Sequence, residues 1–346
     1  MYFTSIVTFI LNFVKWSLQL ELDDFFNDLN GKNMRITKQA FSKARKKISP
    51  VAFIKLSDKI VDWFYKDNNS IRYRGYRLLG IDGTVLEINN SDELRKKFGY
   101  ITNQFMEVIR ARDECLYDLN NDMILAAGIG HYRSSERTRA QGLINKLENI
   151  GFSNDRIIFD RGYPSKEFIS FIEAKNIHYL MRVSRSFIKE VVNVKQSDQI
   201  VEAKYNGKVI KIRVIKFDLD SDITEILVTN IFDENFTVAD FKVLYYKRWG
   251  IEVKYNELKS KLQIENFTGE TVVAIEQDFY VTVYLSNMAA LAKMDVNLII
   301  IEANKDKNSK HEYKVNTNIL IGKLKKSLVL MILEDEPIRR SRMLKK

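Results

Sequence analysis

Cysteine is almost absent. One residue, Cys115, in a chain of 346 leaves no internal disulfide framework and no cysteine-based zinc site, which fits a reducing compartment. Histidine is scarce as well. His131, His178 and His311 are far apart and match no metal-ligand spacing, so structural roles are expected for all three. There are only 3 prolines and no Gly/Ser-rich tether, so domains are expected to pack together or to be inserted into one another. The apolar opening, residues 1–14, is interrupted by Asn12 and followed by Lys15, and it falls short of the roughly 20 residues of a membrane span. No basic stretch precedes it, as a secretory signal would require. An amphipathic helix over residues 5–27 is expected instead.

What remains is an ordinary globular composition with a basic balance. Hydrophobic residues make up 45% of the chain, enough for a sizeable core. At roughly 100–200 residues per domain, the length suggests two or three structural units. The formal net charge is +10, with local clusters at residues 43–47 and 339–346. Such a balance suits a polyanionic partner, nucleic acid or an anionic membrane surface, and it also serves plain solubility.

Along the chain the pattern changes near Tyr76. Before it, residues 1–70 read as helical: Thr37 caps a basic helix, Pro50 punctuates, and a further amphipathic helix covers residues 51–65. After it, strands are expected at residues 77–88, 115–117, 123–129, 157–159 and 178–183, with helices at 134–150 and 166–174. Strands followed by helices and more strands imply an α/β core with mixed pairing. Residues 187–234 break this rhythm with short β segments at Val191-Val192, Ile200-Val201, 209–214 and 226–228, which suggests a small inserted antiparallel unit. A long helix is expected from Val238, and a mostly helical tail from residue 265.

Three acids stand out. Asp82 lies in the apolar run Leu78-Leu79-Gly80-Ile81-Asp82-Gly83-Thr84-Val85-Leu86. A carboxylate there needs a compensating partner, such as a metal, yet Asp-Gly between apolar runs is also a tight-turn signal. Asp160 closes Arg156-Ile157-Ile158-Phe159-Asp160, ahead of Arg161-Gly162-Tyr163-Pro164. That is either a turn or cap residue or a functional acid at the carboxyl end of a strand. Tyr245, Arg248, Glu252 and Lys259 are offset by three, seven and fourteen residues. At roughly 100° per residue they fall within about a 60° wedge of one helix face. Beside them runs an apolar stripe, Leu244, Ile251, Leu258 and Leu262. The wedge either lines a polar site or is a solvated face with an Arg–Glu pair.

Taken together, in order and with their flanks, these motifs resemble the IS-four group of bacterial insertion-sequence transposases, DDE enzymes on an RNase H-like fold. Its helix signature Tyr-x2-Arg-x3-Glu-x6-Lys is matched by Tyr245, Arg248, Glu252 and Lys259, with Trp249 and Ile251 filling the familiar string. Asp82-Gly83-Thr84 and Asp160-Arg161-Gly162-Tyr163 match its two Asp motifs. Leu116-Tyr117-Asp118, Glu265-Asn266-Phe267-Thr268-Gly269 and Tyr313-Lys314-Val315-Asn316 are also similar, so the likeness covers residues 20–325.

The resemblance implies a mixed sheet flanked by helices, with Asp82 on its first strand and not in a turn. It implies a triad of Asp82, Asp160 and Glu252 holding two Mg²⁺ ions (or Mn²⁺ in their place), with Asp82 bridging both. It implies Tyr245, Arg248 and Lys259 as phosphate contacts, and Arg161 beside them as a further DNA contact. The partners implied are double-stranded DNA, both terminal inverted repeats and target, and a second copy in a homodimer on two DNA ends, with no membrane. The location implied is the bacterial cytoplasm and nucleoid. The expected organisation is a helical DNA-binding region at 1–72, an RNase H-like core at 73–186 and 235–270, a β-rich insertion at 187–234 and a helical region at 271–346. Family members often carry more residues before the first helix, so part of the end-binding region is expected to be missing. Some relatives stack a flipped base on a tryptophan of the insertion. Here Trp16, Trp63 and Trp249 all lie elsewhere, which leaves Phe217 or Phe232 as substitutes. Two alternatives stay open: a catalytically silent DNA-binding derivative, and a nuclease of the same fold that cuts without joining.

Overall fold

The computed structural model describes residues 3–12, 17–30, 35–66, 70–102, 104–151, 154–219, 223–305, 313–334 and 336. Trp16, His311 and the basic cluster at 339–346 lie outside them. Helices come first: α1 (Phe3–Leu11), α2 (Leu18–Asn30), α3 (Lys38–Arg45) and α4 (Val51–Lys66). The single helix expected over residues 5–27 is therefore two. α1 stops at Leu11, and the Asn12 N–H folds back onto the Thr8 and Phe9 carbonyls. Asn competes with helix continuation by bonding locally and so favours ends. The Thr37 hydroxyl accepts the Ala40 N–H at 3.2 Å and starts α3 as its sequence suggests.

The sheet follows: β1 (Arg77–Glu87), α5 (Asp92–Phe98), β2 (Tyr100–Thr102), β3 (Glu107–Asp118), β4 (Met123–His131), α6 (Glu136–Ile150), β5 (Asp155–Phe159), α7 (Lys166–Glu173) and β6 (His178–Val183). Then come α8 (Lys189–Val192), β7 (Asp198–Tyr205), β8 (Lys208–Asp218) and β9 (Thr224–Thr229). The spatial order is β4-β3-β1-β5-β6-β9-β8-β7, with β2 paired to the outer end of β3. β1, β5 and β6 are parallel, and β3 runs antiparallel to both its neighbours. This is the RNase H-like mixed sheet that the resemblance implies.

Strands β7 to β9 are antiparallel and continue the same sheet, because β9 pairs with β6. β7 and β8 are joined through Asn206-Gly207, both with positive φ, as a tight hairpin requires. Val191-Val192, expected as β, forms the single turn α8. Its N–H groups bond back to the Ile188 carbonyl, so the pair needs no strand neighbour.

The chain ends in α9 (Val238–Tyr246), α10 (Trp249–Ser260), α11 (Val272–Ala303) and α12 (Thr317–Leu333). The expected long helix from Val238 is thus α9 and α10, joined by tightened i to i−3 bonds from the Lys247, Arg248, Gly250 and Ile251 N–H groups. α11 is long and apolar enough by composition to cross a bilayer. Its first half, from Ala274 to Ala290, is buried in the protein and carries buried Gln277, Asp278 and Asn287, as befits a core helix.

Side chains alternate across a strand, so β1 has two different faces. Leu79 and Ile81 pack with Leu143 of α6 and Ile169 of α7. Leu78 and Leu86 point the other way. Leu78 packs with Ile158, Leu244 and Tyr245, and Leu86 with Ile251, Leu258 and Phe279. Asp82, an even-numbered residue between them, shares the face that α9 and α10 cover.

Candidate active site

The period-two rule that turns Leu78 toward α9 also turns Asp82, and on β5 it aligns Asp160 with Ile158. β1 and β5 run parallel with Gly80 opposite Ile158, so Asp82 and Asp160 stand at the same level of adjacent strands. The α9–α10 joint lies over them. Leu119 fills the space between Gly80 and Gly250. A Cβ on Gly250 would stand 3.1 Å from its Cδ2, and one on Gly80 3.5 Å, so both glycines permit the close approach.

The joint delivers three side chains to the two acids. The Tyr245 hydroxyl donates to Asp160 Oδ1 at 3.0 Å. Arg248 Nη1 donates to Asp82 Oδ2 at 3.4 Å, and its Nη2 to Glu252 Oε1 at 2.7 Å. About two turns further along α10, Lys259 Nζ donates to the Val85 carbonyl at 3.0 Å and lies 3.6 Å from Glu265. The Asp82 backbone is pinned as well: its carbonyl accepts the Tyr255 hydroxyl at 2.8 Å. Six of the seven residues singled out from sequence are thus brought into one continuous arrangement. Arg161, the seventh, is 48% exposed and lies 3.4 Å from Glu225 on β9.

Electrostatically the site is rich in acid. Burial raises the Asp82 pKa to about 6, and the Asp160 and Glu252 carboxylates add to the rise. The Gly83 N–H and the Arg248 guanidinium work against it. Burial disfavours the Arg248 cation, but Tyr245, Asp160 and Glu252 outweigh it and hold the proton more firmly than usual. Among the described residues no three acidic, His or Cys side chains stand close enough to hold a metal ion as they are. The positive charge shared by Asp82 and Glu252 is the guanidinium of Arg248.

Sequence reasoning missed three contributors. Arg182 on β6 pairs with the buried Glu225 of β9, and its charge is felt at Tyr245. Its signal was one cation in the otherwise apolar run from Tyr179 to Val183. Tyr255 gave none, since a tyrosine three residues after Glu252 reads as core. Tyr163 was visible only as a flank of Asp160. Its hydroxyl donates to the buried Glu114 at 3.0 Å, and its N–H closes back on the Asp160 carbonyl at 3.3 Å. The two stacking candidates separate by position. Phe217, paired with Glu225 near the start of β9, is at the Asp160 end of the sheet with Lys242 over its ring. Phe232 follows the far end of β9 and lies at the opposite edge.

A mixed sheet in this order, with acids on adjacent central strands and a third on a helix laid across them, defines the catalytic core of the DDE recombinases. The transposase DDE domain family matches residues 73–288, and the chain belongs to it. The transposase InsG for insertion sequence element IS4 of Escherichia coli (strain K12) is 20% identical over 255 residues, which is 69% of this chain and 57% of that one. The chain therefore spans little more than half the length of this curated relative. Among solved structures it is similar to the piggyBac transposase synaptic complex with hairpin DNA. That likeness has a TM-score of 0.52 and 12% identity, covers 99% of this chain and 74% of the other, and shows the shared fold.

Proposed function

We propose that this protein is a DNA transposase that cuts phosphodiester bonds at the ends of an insertion sequence and joins the freed 3′ ends to target DNA. The observation that carries the reading is the linking of Asp82 to Glu252 through Arg248, with Asp160 on the adjacent strand bonded to Tyr245, on a chain of the DDE family. In kind, the donor set fits a hard divalent cation such as Mg²⁺, with Mn²⁺ as a substitute, since all three ligands are carboxylates. The half-buried Asp82 shares the single guanidinium of Arg248 with Glu252, which points the same way. Asp82, Asp160 and Glu252 would hold two such ions. When bound, they supply Lewis-acid activation of the attacking oxygen and charge relief at the leaving one.

The protein's own groups do the rest. Arg248 and Tyr245 keep the carboxylates oriented before substrate arrives. Arg248 offers a forked contact to a phosphate and Lys259 a point charge further along α10. Arg161 and Arg182, held by Glu225, present cations on the other side of Asp160. The substrates are double-stranded DNA ends and a target duplex, and two copies would hold two ends.

The test is cleavage of a duplex carrying the repeat that flanks the gene, in Mg²⁺, by wild type and by Glu252→Gln. Wild type should cut at the repeat boundary and form joined product. The variant should bind with near wild-type affinity and cut nothing. Cutting without joined product would make the protein a nuclease, and binding without cutting by either protein would make it a silent DNA-binding derivative.

A further inference from the structure

Beyond the candidate site, β2 and the first residues of β3 form a two-stranded ribbon with no counterpart in the sequence-based expectations. Tyr100, Ile101 and Thr102 pair with Ile109, Val108 and Glu107. The turn between them carries Phe105 and Met106, which are 82% and 62% exposed, above the partly exposed Tyr100 and Ile101. Exposed apolar clusters rimmed by polar groups mark contact surfaces.

The ribbon is firmly rooted. Arg95 of α5 pairs with Glu107 and lies over the Tyr100 ring at 4.9 Å. The Arg110 N–H donates to the Gly99 carbonyl at 3.2 Å, and the Tyr132 N–H to the Phe98 carbonyl at 2.9 Å. The acids at the root, Glu107 and Glu87, are paired with Arg95 and Arg110. Lys96, Lys97 and Arg133 are exposed around it. Exposed cations thus stand at the root of the ribbon, beside the exposed Asp92 and Glu93 of α5, and the chain as a whole carries +10.

Its place relative to the acids is fixed by β3. Cys115 lies opposite Asp82, and Glu107, eight residues further out on the same strand, begins the ribbon. At roughly 3.4 Å per residue this is about 27 Å, so the tip stands about 30 Å from the level of Asp82. α10 follows the same direction, with Lys259 over Val85 and Glu265 at Glu87. One turn of B-DNA is about 34 Å. A duplex cut at Asp82 and laid along α10 would present the same groove to the tip one turn later.

We propose that the β2–β3 ribbon is a DNA-contacting arm that meets the duplex about one helical turn from the scissile phosphate. Phe105 and Met106 would press against base steps while Lys96, Lys97 and Arg133 take phosphates. Apolar wedges flanked by cations are a chemistry suited to grooves whose base steps can open. The proposal rests on the DNA-transposase reading.

The test uses the full chain and a duplex ending in the flanking repeat, with 2-aminopurine placed at successive positions from the cut. Wild type should raise the fluorescence and give a footprint about ten base pairs in. The Phe105→Ser/Met106→Ser double variant should keep the wild-type melting curve, lose that signal and bind about tenfold more weakly. Lys96→Glu/Lys97→Glu should weaken binding, lose protection in the same footprint region and make the fall of affinity with salt shallower. An unchanged footprint and affinity in the double variant overturns the proposal, as does a changed oligomeric state with unchanged footprint, which would make the tip a protein contact. Glu252→Gln separates the two readings. It should keep the distal footprint while losing cleavage, and wild type that gives the footprint but never cuts sinks the catalytic reading alone.

Discussion

Glu114 is a carboxyl group inside the sheet, with no exposed surface and Asp113 beside it. Burial pushes its pKa to about 8, although the Tyr163 hydroxyl and Arg139 favour the charged form. Linkage gives this a sign. Against an ordinary value of 4.5, the folded state holds the proton more tightly than the unfolded chain does. The contribution to stability is therefore complete below about pH 4.5 and is lost as pH rises toward 8. Glu114→Gln keeps an acceptor for Tyr163 and removes the ionisation. In urea melts at pH 5 the variant and wild type should be close. At pH 8 the variant should be more stable by about 2–4 kcal/mol. Equal stabilities at both pH values would mean that the carboxylate is solvated or better paired than its surroundings indicate. Tyr163 links this acid to the Asp160 loop, so the cleavage rate of the same variant reports whether the anchor's charge matters or only its shape.

Among the elements, α10 carries the most consequence, because it lays Glu252 and Lys259 along β1. Its back is fastened by Lys254, a buried cation 2.7 Å from Asp122 and 2.9 Å from Glu257. Removing one partner of a buried pair costs about 3–5 kcal/mol because the other charge stays behind. Lys293 also reaches Asp122, at 3.0 Å, so the lower end applies. Lys254→Met should therefore lower stability by about 3 kcal/mol in a denaturant melt, and it should lower the cleavage rate more than the affinity for DNA. A loss below about 1 kcal/mol, the range of exposed pairs, would show that α10 is held by its apolar stripe alone.

The same element shows what was legible in the sequence. The Tyr245, Arg248, Glu252 and Lys259 spacing and the stripe Leu244, Ile251, Leu258 and Leu262 predicted one helix with a polar edge beside a core edge; the stripe is buried as expected, but it runs over two helices, α9 and α10. The turn at Lys247-Arg248 was not legible, because helical periodicity survives a single tightened turn. β3 was read only at Cys115-Leu116-Tyr117. Its outer half carries Glu107, Arg110 and Arg112 among its apolar residues, and the buried pair Asp113-Glu114 contradicts the apolar pattern of a central strand. A buried carboxylate is invisible to hydropathy, and its partners, Tyr163 and Arg139, come from elements far along the chain. For the same reason Arg182 could not be connected to Asp160 before β6 and β9 were seen paired.

At the scale of the molecule, the +10 charge admitted a membrane surface as readily as nucleic acid when it was only a number. The fold distributes it in a way that favours DNA. Arg248, Lys259, Lys96, Lys97 and Arg133 follow α10 and β1 outward, while Arg161 and Arg182 flank Asp160 on the other side. Each cation that meets a phosphate releases condensed counterions, so affinity must fall with salt in proportion to the number of contacts. A footprint of about six phosphates predicts a loss of about 10³-fold in binding between roughly 50 and 200 mM salt. The measurement is a titration of a labelled duplex at several salt concentrations, with Arg248→Ala and Lys259→Ala alongside. Each of these variants should reduce the slope of log affinity against log salt by about one contact. A nearly flat slope in the wild type would mean that the charge serves solubility and that DNA is held, if at all, by the apolar arm. A steep slope that neither variant alters would place the phosphate track elsewhere on the molecule, away from the acids it is proposed to serve.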